Sequence, residues 1–188
     1  VFLDLKKSSF QIEKAALEAV ISPKTRAIVL NSPNNPTGCV LSEESLNIVA
    51  ELAVKHDFYI LCDNVYAALS QESVPDLTLR PELRDRCILC QSFSKPWAMT
   101  GWRIGYLTCP DYVMDRLLLL SAAEITAVPT FLQEAAVTAL KTDPTPMKEV
   151  YRRRRDYVCS RLEKMGLSFP EPEGAFYVFV DIRKFGLD

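Results

Sequence analysis

Histidine is almost missing from this chain: His56 is the single one among 188 residues. An imidazole-based metal centre or a nucleophile–histidine relay needs partners at set spacings, and none surrounds His56. It reads instead as a helix C-terminal residue facing the negative end of the dipole. A surplus of either charge is also lacking. Lys and Arg number 22 against 24 Asp and Glu, a net charge of −2, which argues against a nucleic-acid or membrane partner. The six cysteines show no framework spacing. Cys87-Ile-Leu-Cys90 has the form of a metal or redox pair, but it lies in an apolar run that reads as a strand. Residues three apart on a strand face opposite ways, so both read as buried small hydrophobes and no metal site is expected. A membrane-length apolar run is absent too. The most apolar stretch, Leu117–Leu120 and onward, is interrupted by Asp115, Arg116 and Glu124, and a buried helix is expected there. No secretory signal opens the chain, and reduced cysteines fit the cytoplasm. Val1 stands in an apolar start, so the natural N-terminus is expected upstream.

The chain does hold enough apolar residues, 48%, for one core, or one domain with part of another. Strands are expected at Val1–Leu5, Arg26–Leu30, Phe58–Cys62, Cys87–Gln91, Ile104–Thr108 and Phe176–Ile182. Helical spacing marks Ile12–Val20, and Ser42 is a natural N-cap for a helix reaching His56, with Glu43 and Glu44 at its positive end. Residues 70–86 are polar and read as a loop with a short helical piece. Pro110, Pro129 and Pro144–Pro146 punctuate further helices, and a long one over Met147–Met165 is stopped by Gly166. Its four consecutive arginines, Arg152–Arg155, turn by about 100° per residue and cannot form one basic face, so a solvated, salt-bridged helix is expected. Trp97 and Trp102 read as packing residues. Strands alternating with helices give an α/β fold with a mostly parallel sheet.

The chemistry gathers in loops that follow strands. Ser92-Phe-Ser-Lys95 is followed by Thr100-Gly-Trp-Arg103-Ile-Gly. A hydroxyl and a guanidinium flanking a lysine can hold a phosphate while the amine forms a Schiff base with an aldehyde. The aldehyde that carries a phosphate is pyridoxal 5′-phosphate. Upstream stands Asn31-Ser-Pro-Asn-Asn35-Pro-Thr-Gly38, and between the two lies Asp63-Asn-Val-Tyr66 at the end of an apolar run. In open parallel sheets ligands bind beyond the carboxyl ends of strands, where these three loops converge.

Together these three segments resemble the class I and II aminotransferases, the fold-type I pyridoxal-phosphate enzymes. The resemblance runs over essentially the whole chain and implies a three-layer α/β/α large domain. It divides the chain into a partial cofactor-binding domain, 1–146, and a bridging helix with the start of a small α+β domain, 147–188. It implies Lys95 as the Schiff-base lysine and proton carrier, Asp63 as the partner of the pyridine nitrogen, and Tyr66 and Asn35 as ligands of the phenolic oxygen. Ser92 and Arg103, with Ser94 assisting, would hold the phosphate. It also implies a cis Asn35–Pro36 bond, amino-acid and 2-oxo-acid substrates, and a homodimer.

This chain departs from the family pattern at Asn64, where glutamate is frequent, at Ser32 and at Pro96. None of these removes a chemical group the site needs. The segment covers about half of a family subunit, and the glycine-rich phosphate turn, the ring-stacking aromatic and the carboxylate-binding arginine are expected outside it. By itself it is expected to be an inactive fragment. Glu173-Gly-Ala-Phe-Tyr177 resembles the start of the family's small domain. The same fold also serves carbon–sulfur lyases and cofactor-sensing transcription regulators, which are the alternative functions. The run Met99-Thr-Gly-Trp-Arg103 is closer to an aminotransferase than to a lyase.

Overall fold

The computed structural model describes residues 1–5 and 9–186, so the last two residues of the expected 147–188 unit lie outside it. Its sheet has four strands in the order β1 (Ala27–Asn31), β2 (Tyr59–Asp63), β3 (Cys87–Ser92) and β4 (Gly105–Thr108). The first three run parallel, and β4 returns antiparallel to β3. The five helices among the described residues are α1 (Lys14–Val20), α2 (Glu43–His56), α3 (Asp111–Glu124), α4 (Thr130–Leu140) and α5 (Thr145–Lys164). This is the expected α/β fold with a mostly parallel sheet.

Helix α2 shows how sequence becomes packing. The Ser42 side chain accepts from the Ser45 amide, which satisfies one of the free N–H groups of the first turn. Leu46, Val49, Ala50 and Ala53 follow helical spacing and are buried, while Glu43, Glu44 and Lys55 stay in water. That apolar stripe packs with Leu17 of α1 onto Leu30, Ile60, Cys62 and Cys87 of the sheet. A smaller cluster of Phe93, Met99 and Ile104 takes Ala136 and Ala139 of α4. The opposite sheet face is more open. Register aligns Val29 with Leu61 and Leu61 with Ile88, yet Val29 is 67% exposed.

Four expectations are corrected. Val1–Leu5 is not a strand, because it enters no ladder among the described residues; Leu3 and Leu5 lie against the core, and the Leu5 carbonyl accepts the Phe10 amide. Phe176–Ile182 shows no alternating burial and joins no ladder among the described residues, where a single bridge from Asp181 to Ser168 stands in its place. Leu118, Leu119 and Leu120 are exposed rather than buried, since no described segment packs on that face of α3. Trp102 is 45% exposed, whereas Trp97 packs on Phe93 and donates to the Thr142 carbonyl at 3.0 Å. The arginine run behaves as expected: Arg152 pairs with Glu149 and Asp156, and Arg155 with Asp156. Among the described residues no helix is long and apolar enough to cross a membrane.

Two substitutions separate the cap from the core. Leu52 is fully buried, and Leu52→Ala should cost about 2–5 kcal/mol through lost transfer energy and the cavity left behind. Ser42→Ala should cost about 1 kcal/mol. Urea unfolding measures both, as shifts in midpoint at unchanged slope.

Candidate functional site

The site grows from three strand ends. Asn31 closes β1, Asp63 closes β2 and Ser92 closes β3. Parallel pairing sets Asn31 beside Asp63 and Asp63 beside Cys90, two residues before Ser92. Parallel strands all point their carboxyl ends one way, so the three loops leave the sheet on one side.

The first loop is ordered by its own asparagines. Asn31 Oδ1 accepts the Asn35 amide at 2.7 Å, and Asn31 Nδ2 donates to the Asp63 carbonyl at 3.3 Å. Asn34 Oδ1 accepts from both the amide and the hydroxyl of Thr37, at 3.2 and 2.9 Å. The Asn35–Pro36 bond is cis, as is Ser32–Pro33. From this frame Asn35 Nδ2 donates to the Tyr66 hydroxyl at 3.5 Å.

Tyr66 is the hub. It is 5% exposed, and its hydroxyl shares a 2.8 Å hydrogen bond with that of Tyr177. Burial, reinforced by the Tyr177 hydrogen bond, pushes its phenol above the ordinary tyrosine range, and the Asp63 carboxylate adds to the rise. Lys95 Nζ lies 5.6 Å from the Tyr66 ring centroid and 5.2 Å from that of Phe176. Asp63 is half-buried at its strand end, with Oδ1 accepting the Val65 amide at 3.4 Å. Ser92 Oγ accepts the Ser94 amide at 3.1 Å, which tightens the turn leading to Lys95.

Lys95, Tyr66 and Asn35 are therefore brought into contact, and Asp63 is close enough to act on Tyr66. Ser92 and Ser94 sit on the turn before the lysine. Arg103 is exposed, in the left-handed region at φ 53°, and its guanidinium donates to the Thr100 carbonyl at 2.9 Å. It touches its own turn rather than the other candidates, although the Phe93 amide bonded to the Ile104 carbonyl keeps that turn beside Ser92.

Two contributors were not foreseen, Phe176 and Tyr177. Their segment docks on the first loop through backbone contacts that composition does not reveal. The amides of Glu173 and Gly174 both donate to the Gly38 carbonyl at 2.9 Å, and the Val40 amide donates to Glu173 Oε2 at 3.0 Å. Two glycines permit the approach. A Cβ on Gly38, at φ 74°, would stand 2.8 Å from the Tyr177 carbonyl oxygen. One on Gly174 would collide with Ser70 Oγ and stand 2.6 Å from Pro33 Cβ. The signal available in sequence was the glycine-then-aromatic order of residues 174–177.

Comparison with known proteins points to one family. The family profile described as "Aminotransferase class I and II" matches residues 4–185. The chain is 37% identical over 188 residues to an aspartate aminotransferase of Musicola paradisiaca, covering 97% of this chain and 47% of that protein. It is 38% identical to aromatic-amino-acid aminotransferase 2 of Thermococcus litoralis, over 97% of this chain and 49% of the relative. Among solved structures, the aromatic aminotransferase from Pyrococcus horikoshii superposes with a TM-score of 0.91 at 35% identity, covering 97% of this chain and 51% of that one. The chain spans about half the length of the curated relatives it matches.

Two measurements probe the site without any ligand. Gly174→Ala should destabilise by about 1–3 kcal/mol through overpacking against Pro33 and Ser70, read by urea unfolding. In an alkaline titration followed by phenolate absorbance, Tyr66 should ionise above about pH 10, the ordinary tyrosine value. Because the folded state favours the protonated phenol, this contribution to stability is full below that value and declines as pH rises through the folded one. Tyr66→Phe should remove both the late absorbance step and that decline.

Proposed function

The chain belongs to the class I and II aminotransferase family, and on that premise we propose that the whole protein is a pyridoxal-phosphate-dependent aminotransferase acting between an amino acid and a 2-oxo acid. The observation that carries this reading is the position of Lys95. Its ammonium lies beside the Tyr66 ring, whose hydroxyl takes the Asn35 amide, where β1, β2 and β3 end together. Relatives named for aspartate and for aromatic amino acids support a donor of one of those two kinds.

The residues fit the cofactor by chemistry. Ser92, Ser94 and Arg103 offer hydroxyls and a guanidinium to its phosphate. The Asp63 carboxylate is an acceptor for a protonated ring nitrogen, and Asn35 and Tyr66 are donors for the phenolic oxygen. When bound, the cofactor supplies an aldehyde carbon and an electron-accepting ring. Asp63 would keep the ring nitrogen protonated by its charge. Lys95 Nζ, when free, would carry a proton between the substrate Cα and the cofactor's aldehyde carbon, which lie on either side of the substrate nitrogen.

The same reading takes residues 1–146 as part of the cofactor domain and 147–188 as the bridge to a small domain. It makes the whole protein a cytoplasmic homodimer, in which the exposed Leu118–Leu120 run of α3 would lie against further protein surface.

The test uses the full-length protein with cofactor. Borohydride should fix the cofactor to Lys95 alone, and Lys95→Arg should abolish both fixation and transamination. Asp63→Asn should leave fixation intact and lower kcat about 10²–10⁴-fold, the equivalent of roughly 3–5 kcal/mol for a broken charge pair. Fixation mapped to another lysine, or near-normal turnover in Asp63→Asn, would refute the assignment.

A further inference from the structure

The contact between Lys95 and Phe176 belongs to none of the roles above. The rings of Tyr66 and Phe176 meet edge to face, with centroids 5.4 Å apart and planes at 84°. Two perpendicular rings leave a corner, and Lys95 Nζ sits in it, 5.6 Å from one centroid and 5.2 Å from the other. Ring faces carry negative charge density, so both attract an ammonium within about 6 Å. Phe176 is itself held. Tyr151 of α5 stacks on it at 5.3 Å with planes 21° apart, and Tyr177 lies tilted against it at 4.7 Å. Arg154 caps the far ring, its guanidinium carbon 5.8 Å from the Tyr151 centroid. The order is cation, ring, ring, cation, and it ties α5 to the lysine loop.

We propose that Phe176 is a positioning residue that, together with Tyr66, holds the free ammonium of Lys95 in this aromatic corner. The proposal rests on the reading of Lys95 as the cofactor lysine for its consequence, but the corner itself is a property of the chain. The segment that brings Phe176 is seated by the Gly38 carbonyl and the missing Cβ of Gly174. Attack on an aldehyde takes Nζ out of the corner, and imine formation then releases water. A corner that holds Nζ in place therefore slows capture of the cofactor. It also gives the lysine a fixed place whenever it is not bonded.

The experiment uses full-length, cofactor-free protein in two arms. In the first, lysines are reductively dimethylated with ¹³C-formaldehyde, which keeps their charge, and the Lys95 methyl signals are identified by their loss in Lys95→Arg. They should lie upfield of the other lysines through ring currents, lose a large part of that shift in Phe176→Leu, and keep it in Phe176→Tyr. In the second arm, unmodified protein is mixed with pyridoxal 5′-phosphate at pH 7 and quenched with borohydride. Phe176→Leu should be fixed about two- to fivefold faster than wild type, the factor that corresponds to an exposed cation–π contact, and Phe176→Tyr at the wild-type rate. Ordinary methyl shifts for wild-type Lys95 overturn the proposal, even if Phe176→Leu fails to fold. So does a shift unchanged in a folded Phe176→Leu, or an unchanged fixation rate. Fixation at a different lysine in every variant would instead refute the assignment of Lys95, and the methyl shifts would still decide the corner.

Discussion

Everything at the site depends on the parallel pairing of β1, β2 and β3. A parallel ladder gives adjacent strands a common direction, so residues that are far apart in sequence emerge side by side at one edge. Asn31 and Asp63 are 32 positions apart and directly opposed in register. A slip of one residue would turn Asp63 from the ligand side to the core and bring Cys62 out in its place. The register is fixed from the other face. Leu30, Ile60, Cys62 and Cys87 are held against α2, and a shifted strand would expose them. The hydrophobic contact with α2 thus determines where the carboxylate stands.

Much of this was legible in the sequence, and the reason is local. The short apolar runs ending in Asn31, Asp63 and Ser92 mark both strand and loop, and the helix between Ser42 and His56 carries its own start signal and stripe. The candidate lysine, aspartate, tyrosine and asparagine stand next to those signals. What sequence could not show depends on partners. Val1–Leu5 and Phe176–Ile182 have strand-like patterns, but a strand exists only when a neighbour accepts its hydrogen bonds. Leu118–Leu120 has the composition of a buried helix, but burial requires a covering surface. Arg103 has the spacing of an anion ligand, while its local turn decides where the guanidinium rests.

The aromatic wall shows a different kind of blindness. Phe176 and Tyr177 approach Tyr66 because two glycines allow backbones to touch and because a carbonyl at Gly38 accepts two amides. Those are relations between backbone atoms 139 positions apart at their widest, Gly38 to Tyr177, and no side-chain pattern encodes them. The polar link between the Tyr66 and Tyr177 hydroxyls, and the packing of Tyr151 on Phe176, then make α5 part of the site's support rather than a neighbour of it.

The span of that link sets an order for synthesis on the ribosome. The four strands are complete once Thr108 has emerged, and their pairings join residues at most 32 positions apart. The hydroxyl bond of Tyr66 closes over 111 positions, and the Glu173 contact to Val40 over 133. At about 5–20 residues per second, the interval from Thr108 to Tyr177 lasts roughly 3–14 s. During it the strands and the lysine loop have been made, while the aromatic segment that contacts Tyr66 and Lys95 has not. The amine is least sheltered in that window, and a metabolite aldehyde could reach it then more readily than at any time after the aromatic segment has docked.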